Sequence, residues 1–416
     1  MKNIESKPLS SLIFIPLLSL IFLRPFFSGL AYPLFEFYYE NCIISLAIIT
    51  ILFERQSLPN FSTQSRTNPY GIAILFLLSA YIISTIFSVN IQNSIQETIK
   101  FISYFSIFFM VSKTNDEHKK ILIKTVVVAG LIISAYSIYQ YFWGYQHTLD
   151  YLKKINSDFL ATSSYAKDIL ISKRAIGTFP SPNIFGGYLI IIFFLALPIL
   201  FERVSPKADG SRTKYLILLD SARRILPLLI ILSALFLTKS LGAWLSLIAG
   251  LIILFLLSYK SIKHKKLILF CALMAIFIAI TLILITRRER LLNLDNPQNS
   301  ITQRLNYWRT AIAIIKDHPF FGVGPGNFQE VFLKYKIGLS TNTRYAHNIF
   351  LHTWAETGLL GLIALIYLIS AFFIKAKSKS RYIFLAGLAF LFCNLIDNAY
   401  FIPEAGFLWW ILLAVP

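Results

Sequence analysis

The chain has 416 residues, 56% of them hydrophobic and only 14% charged, with 37 Phe, 21 Tyr and a formal net charge of +19. Apolar runs of near-spanning length recur from end to end, and a water-soluble globule of this composition would lack polar surface to cover itself. A polytopic membrane protein is the class that remains, and no nucleic-acid partner is expected.

The opening stretch, MKNIESKPLSSLIFIPLLSLIFL, has the basic end and apolar run of a signal peptide. No small-residue cleavage site follows and further spans come directly after, so it reads as an uncleaved first helix. Candidate spans, twelve in all, lie at about 10–30, 35–53, 70–88, 99–112, 120–143, 183–201, 224–240, 242–258, 267–286, 349–374, 382–396 and 405–416. The first, fourth and last are short or interrupted. With the N-terminus inside, the cytoplasmic segments 1–9, 54–69, 113–120, 202–224, 259–266 and 375–381 carry 21 Lys and Arg. The short external turns hold almost none apart from Arg24, Lys100 and Lys239, which is the positive-inside pattern. Cys42, Cys271 and Cys393 all fall inside apolar runs, so each is read as packing and none as a disulfide or metal ligand.

The loops 144–182 and 287–348 are long and external. Loop 287–348 sets nine Lys and Arg against four acids, a net charge of about +5 that should attract anions. Within it, Arg287, Arg288 and Arg290 read as headgroup anchors at a helix end. The rest reads as folded. Ser300 with Gln303 three residues later has the form of a capping box. Ile301, Leu305, Trp308, Ile312 and Ile315 recur at helical spacing as one apolar stripe, and Pro319 stops the helix. A Gly-rich turn then leads to Asn327, with Glu330 as a second cap, and Gly338 as a stop. The expected result is two short amphipathic helices over the membrane face, joined by a glycine elbow. The elbow, GVGPGN, fails as a nucleotide cradle because GxGxxG would need glycine at 327 and no strand precedes it.

Next comes TRYAHNIFLHTWAETGLLGLIALIYLISAFF, residues 343–373, an apolar helix whose beginning carries Arg344, His347, Asn348, His352 and Glu356. His352 and Glu356, four apart, share one helical face and read as a stabilising pair. His347 falls on another face of the same expected helix.

An Arg…Trp helix, then DHPFFGVGPGNF, then AHNIFLHTWAETGLLG resembles the signature of the O-antigen ligase and polymerase superfamily. A second block, RAIGTFPSPNIFGGYL at 174–189, resembles that family's Arg-x-x-Gly-Thr-Phe…Asn…Gly segment. The likeness covers roughly residues 70–410. In one place the chain departs from it: LTKSLGAW has Leu241 where the family commonly has an arginine, with Lys239 two positions earlier. Lys offers a point charge to a phosphate but not the paired donors of Arg.

The resemblance implies an all-α, polytopic transmembrane helical bundle with a large helical periplasmic loop, forming a single integral membrane domain over 1–416 in the bacterial inner membrane. It implies an inverting, metal-independent glycosyltransferase without cofactor. The donor would be a polyprenyl-pyrophosphate-linked glycan, and the acceptor a sugar hydroxyl of lipid A–core or of a second lipid-linked glycan. No DxD or HExxH is present in the sequence, so arginines are the expected partners of the leaving pyrophosphate. Arg174 and Arg304 are the expected donor-binding residues, with Arg344 behind them and Lys239 as a weaker candidate. His347 is the expected general base or acceptor-orienting group, since imidazole titrates near neutrality. Asn348, His352, Glu356 and Trp308 are expected in support. The plainer readings are a helix cap for His347, a stack on Trp308 for Arg304, a headgroup anchor for Arg174, and an architectural role for Asn183, Gly186 and Gly187. An O-antigen ligase is the first reading, a polymerase of the same superfamily the second, and a transporter of lipid-linked sugar the rival from another class. Against the last, the costly polar groups gather on one side and no inverted repeat with paired broken helices is visible.

Overall fold

A backbone in lipid must satisfy its own polar groups, so long apolar segments dictate helices. The computed structural model describes residues 11–29, 31–55, 69–155, 167–198, 214–259 and 299–416, with Asn293 and Asn296. Among these residues all the regular elements are helical. In chain order they are α1 (Ser11–Leu23), α2 (Pro33–Arg55), α3 (Pro69–Ile86), α4 (Ile91–Ser112), α5 (Asp116–Tyr139), α6 (Tyr145–Ile155) and α7 (Pro182–Ala196). They continue as α8 (Lys214–Leu237), α9 (Leu241–Ser258), α10 (Ser300–Asp317), α11 (Phe328–Tyr335), α12 (Ile349–Lys379), α13 (Arg381–Asn394) and α14 (Pro403–Ala414).

By length and composition, four helical stretches among the described residues suffice to cross a membrane: Pro33–Phe53, Asp116–Ile155, Leu241–Ser258 and Ile349–Lys379. Shorter apolar helices accompany them, α1, α7, α13 and α14 included. The expected span at 267–286, with Cys271, and the anchors Arg287, Arg288 and Arg290 lie outside the described residues. The short span expected at 99–112 is only the second half of α4, whose first turn is capped by the Asn90 side chain accepting from the Gln92 and Asn93 amides.

The helix α7 has no charged position and no face to give to water. It is buried at every residue except Asn183 and forms the bundle's axis. Its neighbours approach closely because Gly186 and Gly187 lack side chains. A Cβ at 186 would stand 2.7 Å from that of Ala243, and one at 187 would stand 2.8 Å from that of Ala399.

The bundle has two chemically distinct ends. At one, the Lys375 ammonium lies 4.8 Å from the Tyr70 ring centre, His118 stacks on Phe14, and Arg381 reaches Ser258. Lys119 and Lys379 are close enough there to repel each other. At the other end α3 and α12 meet again, where Ser84 donates to the Glu356 carbonyl at 2.7 Å. That end also gathers the start of α7, the end of α8, the start of α9 and the end of α13.

The sequence predicts an unbroken span over 349–374, but α12 breaks at Gly358, whose φ of 68° lies in the left-handed region. The chain before α11 docks on the break: Val323 N donates to Ala355 O (3.0 Å), Gly324 N to Glu356 O (2.9 Å), and Leu359 N to Pro319 O (2.9 Å). Backbone groups freed by the break are thus re-paired with the glycine elbow, which fixes the α10–α11 unit to the bundle.

Three expectations for that unit are corrected. The cap of α10 is Asn299, accepting from Ile301 N at 2.9 Å, while Gln303 instead turns to Thr341. The buried face of α10 is Gln303, Asn306, Tyr307, Thr310, Ala311, Ile314 and Ile315. Leu305 and Ile312 of the expected stripe are 43% and 44% exposed. Helical spacing was right, but tertiary partners for polar Gln303, Asn306 and Thr310 put the centre of the buried face roughly a third of a turn, about 130° at 3.6 residues per turn, from the expected stripe. Finally, Asn327 does not cap α11 with its side chain; the Glu356 carboxylate does so from α12, accepting from Gly326 N (2.9 Å) and Phe328 N (3.0 Å).

Gly358→Ala is expected to destabilise sharply, because a Cβ would collide with the Phe320 carbonyl and left-handed backbone alone costs a non-glycine residue about 1–3 kcal/mol. Gly71→Ala, with nothing within 4 Å of its Cβ, is the control and should leave the melting midpoint in detergent unchanged or raised.

Candidate active site

Arg174 stands in the segment just before α7. Its own backbone is pinned by Tyr145, whose hydroxyl donates to the Arg174 carbonyl at 2.6 Å, and the next residue's amide donates to Leu237 O at 2.9 Å. The side chain is buried, with Nε donating to the Thr238 carbonyl (3.1 Å) and Nη2 to Asn183 Oδ1 (2.9 Å). Asn183 therefore does more than start a helix: it orients a guanidinium. Lys239, beside Thr238, donates from Nζ to Ser172 O at 2.7 Å and lies near the Tyr141 ring.

Across from this segment, the turn after α13 presents Asp397, which is 1% exposed. Arg304 of α10 donates from Nη2 to Asp397 Oδ2 at 3.3 Å. His347 Nδ1 stands 3.5 Å from Asp397 Oδ1. That separation is beyond a good hydrogen bond, and neither of these two atoms, nor Arg304 Nε, has a hydrogen-bond partner among the described residues. Burial by itself would raise the Asp397 carboxyl, but the Arg304 guanidinium, the His347 ring and Arg174 outweigh it and hold the group below the ordinary carboxylate range. One buried carboxylate thus pairs with the Arg304 guanidinium, faces the His347 ring nitrogen, and lies close enough to Arg174 to feel its charge.

His347 precedes α12 and is not on it. The helix begins at Ile349 with Asn348 as its cap, accepting from Phe350 N and Leu351 N at 3.0 Å each. Asn348 also donates to Leu395 O at 3.0 Å, tying this start to the turn that carries Asp397. His347 has a φ of 53°, and its carbonyl accepts from Trp308 Nε1 at 3.3 Å while its ring stacks on Tyr307. Trp308 therefore holds the histidine backbone. With Nδ1 buried against Asp397, the ring still has 23% of its surface exposed. The described non-glycine residues with positive φ are Lys173, Lys239 and His347, and all three flank this cluster. Strained backbone of this kind persists where the surroundings over-determine it and concentrates at functional sites.

Other candidates lie elsewhere. Arg344, 54% exposed, pairs with Glu97 at 3.5 Å, and Glu97 is itself paired with buried Lys100. His352 is enclosed by Phe328, Tyr345 and Phe401. Its Nδ1 accepts from Ala346 N at 3.4 Å and its Nε2 faces Glu356 at 3.4 Å, within the clip that caps α11. Asp397 was missed in the sequence, although an acid directly after an apolar run, in CNLIDN, was the available signal. Buried Glu404, with Arg24 and Glu36, was missed likewise and forms a separate ionic cluster. Among the described residues no cluster of His, Cys, Asp or Glu has the makings of a metal site.

Residues 226–366 match the family model described as O-antigen ligase. The similarity is to the O-antigen ligase superfamily. The matched stretch includes Lys239, Arg304, Trp308, Arg344, His347, His352 and Glu356, and leaves Arg174 and Asp397 outside it. The chain is also similar to an uncharacterized protein of Haemophilus influenzae (strain ATCC 51907 / DSM 11121 / KW20 / Rd), with 32% identity over 150 residues. That alignment covers 31% of this chain and 36% of the relative's length.

Asp397→Asn is expected to lose about 3 kcal/mol or more, because it removes the charge that compensates a largely buried guanidinium. A carboxyl held low contributes its stability above the ordinary carboxylate pKa and loses it only as pH falls through the lower folded value. The stability gap between wild type and Asp397→Asn should therefore stay level from pH 8 to about 5 and close only in stronger acid, read as melting midpoints across pH. Lys239→Gly relieves left-handed backbone worth about 1 kcal/mol and should keep or raise the midpoint, whereas Lys239→Ala keeps that strain and should melt lower.

Proposed function

We propose that the chain is a membrane glycosyltransferase of the O-antigen ligase type. It moves a glycan from a polyprenyl-pyrophosphate donor to a sugar hydroxyl of lipid A–core, on the periplasmic face of the bacterial inner membrane. The observation that carries this reading is the meeting of Arg304 and His347 at the buried carboxylate of Asp397, with Arg174 close enough for its charge to act on the same group. In this reading the cluster end of the bundle, with loops 144–182 and 287–348, is periplasmic, and the lysine-bearing end is cytoplasmic. About twelve spans complete the bundle.

The chemistry follows from the charges. Two guanidiniums stand near one carboxylate that pairs with Arg304, which leaves an excess of positive charge to meet an anion. The acceptor oxygen attacks the anomeric carbon, forming the new C–O bond as the bond to the donor's pyrophosphate breaks. The electron pair goes to the leaving pyrophosphate, whose growing charge Arg174 and Arg304 neutralise, with Lys239 as a nearby point charge. The acceptor proton passes to the exposed edge of His347, while Asp397 on Nδ1 fixes the ring's tautomer and stabilises the imidazolium. Inversion at the anomeric carbon follows from a single displacement, and no step in this scheme draws on a metal. Arg344, exposed and paired with Glu97, stands behind Arg174 and Arg304 as a further cation for the donor, and His352 and Glu356 act through the clip that positions the α10–α11 unit.

His347→Ala is expected to cut transfer by about 10²–10⁴ with purified protein, lipid-linked donor and acceptor, while membrane insertion stays as in wild type. Wild-type turnover by that variant would remove His347 from the chemistry. Turnover in detergent, without a second compartment, excludes transport as the sole activity. A deletion strain separates the two enzyme readings: lost core-attached chains with long lipid-linked polymer retained mean ligase, whereas single repeats on the core mean polymerase.

A further inference from the structure

The exposed side of α10 has a composition that its buried side does not explain. Leu305, Arg309, Ile312 and Lys316 follow one another at steps of four, three and four, so they share one face, and all four are exposed. Half-buried Ile301 borders them, on the side where Trp308 and Arg304 turn toward the bundle. The opposite face is already packed, through Tyr307, Thr310, Ala311 and Ile314. The helix is therefore apolar on two sides, and the second side alternates apolar groups with cations. Its sole acid, Asp317, is engaged elsewhere by the Tyr335 hydroxyl at 2.8 Å. Such a helix does not span a membrane. It has the composition of one lying in the headgroup layer, where leucine and isoleucine reach acyl chains and Arg and Lys reach phosphate.

A second observation fixes the level of that layer. Tyr139, Phe142 and Trp143, at the end of α5 and in the π-helical segment Gln140–Gly144 that follows it, are 52%, 57% and 58% exposed. Gln140, between them, donates to Gly177 O, three residues from Arg174. Exposed Tyr and Trp at a helix end mark the membrane–water interface, so the interface passes at the height of the Arg174–Asp397 cluster, where α10 is held by Arg304.

We propose that the Leu305–Arg309–Ile312–Lys316 face of α10 lies against the bilayer surface and binds acidic phospholipid. Each cation near an anionic surface is worth about 1 kcal/mol, so the pair favours acidic over zwitterionic lipid at this face by roughly thirtyfold. The proposal is independent of which glycan the protein transfers. It places α10 where a lipid moving in the bilayer plane passes the face before reaching Arg304.

The test uses the full chain with its native cysteines replaced, carrying Ile312→Cys labelled with an environment-sensitive nitrobenzoxadiazole, in phosphatidylcholine nanodiscs. Spin-labelled phosphatidylglycerol should quench the label strongly, spin-labelled phosphatidylcholine at equal content much less, and iodide from water hardly at all. Adding Arg309→Gln and Lys316→Gln should abolish the difference between the two lipids while leaving the protein monodisperse. Quenching by iodide and not by lipid would overturn the proposal, as would protection from both quenchers, which means a protein partner covers the face. Equal quenching by the two lipids would overturn the preference for acidic lipid. A label at exposed Leu305→Cys repeats the measurement should the first position disturb the helix.

Discussion

A carboxylate taken out of water must be paired, and Asp397 is the group whose pairing organises this end of the molecule. It stands in the turn after α13 with almost no solvent contact, and the partners that make its burial tolerable come from α10, from His347 two residues before α12 and from the segment before α7. Segments that are far apart in the chain are thereby held within one charge's reach. The same arrangement leaves a ring nitrogen and a guanidinium nitrogen close to partners they do not fully bond. In this cluster the charges are assembled while the hydrogen bonds are not exhausted.

A second buried carboxylate works mechanically. Glu356 caps α11 through two backbone amides, faces His352, and offers its carbonyl to both Gly324 and Ser84. Because α12 breaks two residues later at Gly358, the break and the carboxylate together make a clip that seizes the glycine elbow. Glu356 supports the position of α10, and through α10 the position of Arg304. The cost of a carboxylate inside a membrane helix is met by paired amides and a histidine, which is a structural use of a charge in the interior.

Much of this was legible in the sequence and some was not. Helix locations followed from apolar run length. Arg344, His347, Asn348, His352 and Glu356 stood out as costly groups at the start of an apolar run, Arg174 and Arg304 were singled out by the family resemblance, and the 3.6 period put His352 and Glu356 on one face. The face of α10 was misjudged because hydrophobic spacing ranks Leu305 and Ile312 as core, whereas Gln303, Asn306 and Thr310 are buried by hydrogen bonds with the chain at 337–341 and by its close packing. Spacing cannot reveal such partners. Asn327 resembled a cap for the same reason: its amide is spent on Asn90, Ser94 and Val323, and the true cap comes from another helix.

By itself the sequence determined that the chain is helical, lies in a membrane, and concentrates its costly polar groups near the ends of apolar runs, because those properties depend on composition and local period. Only the tertiary structure decided which of those groups meet. The union of Asp397 with Arg304 and His347 joins residues 93 and 50 positions apart, and no local rule sets such distances. The separation of Arg344 to Glu97 and of His352 to Glu356 was decided there too, as was the side of α10 that remains open. Burial of charge is a three-dimensional constraint, and the pairs that satisfy it are chosen by packing.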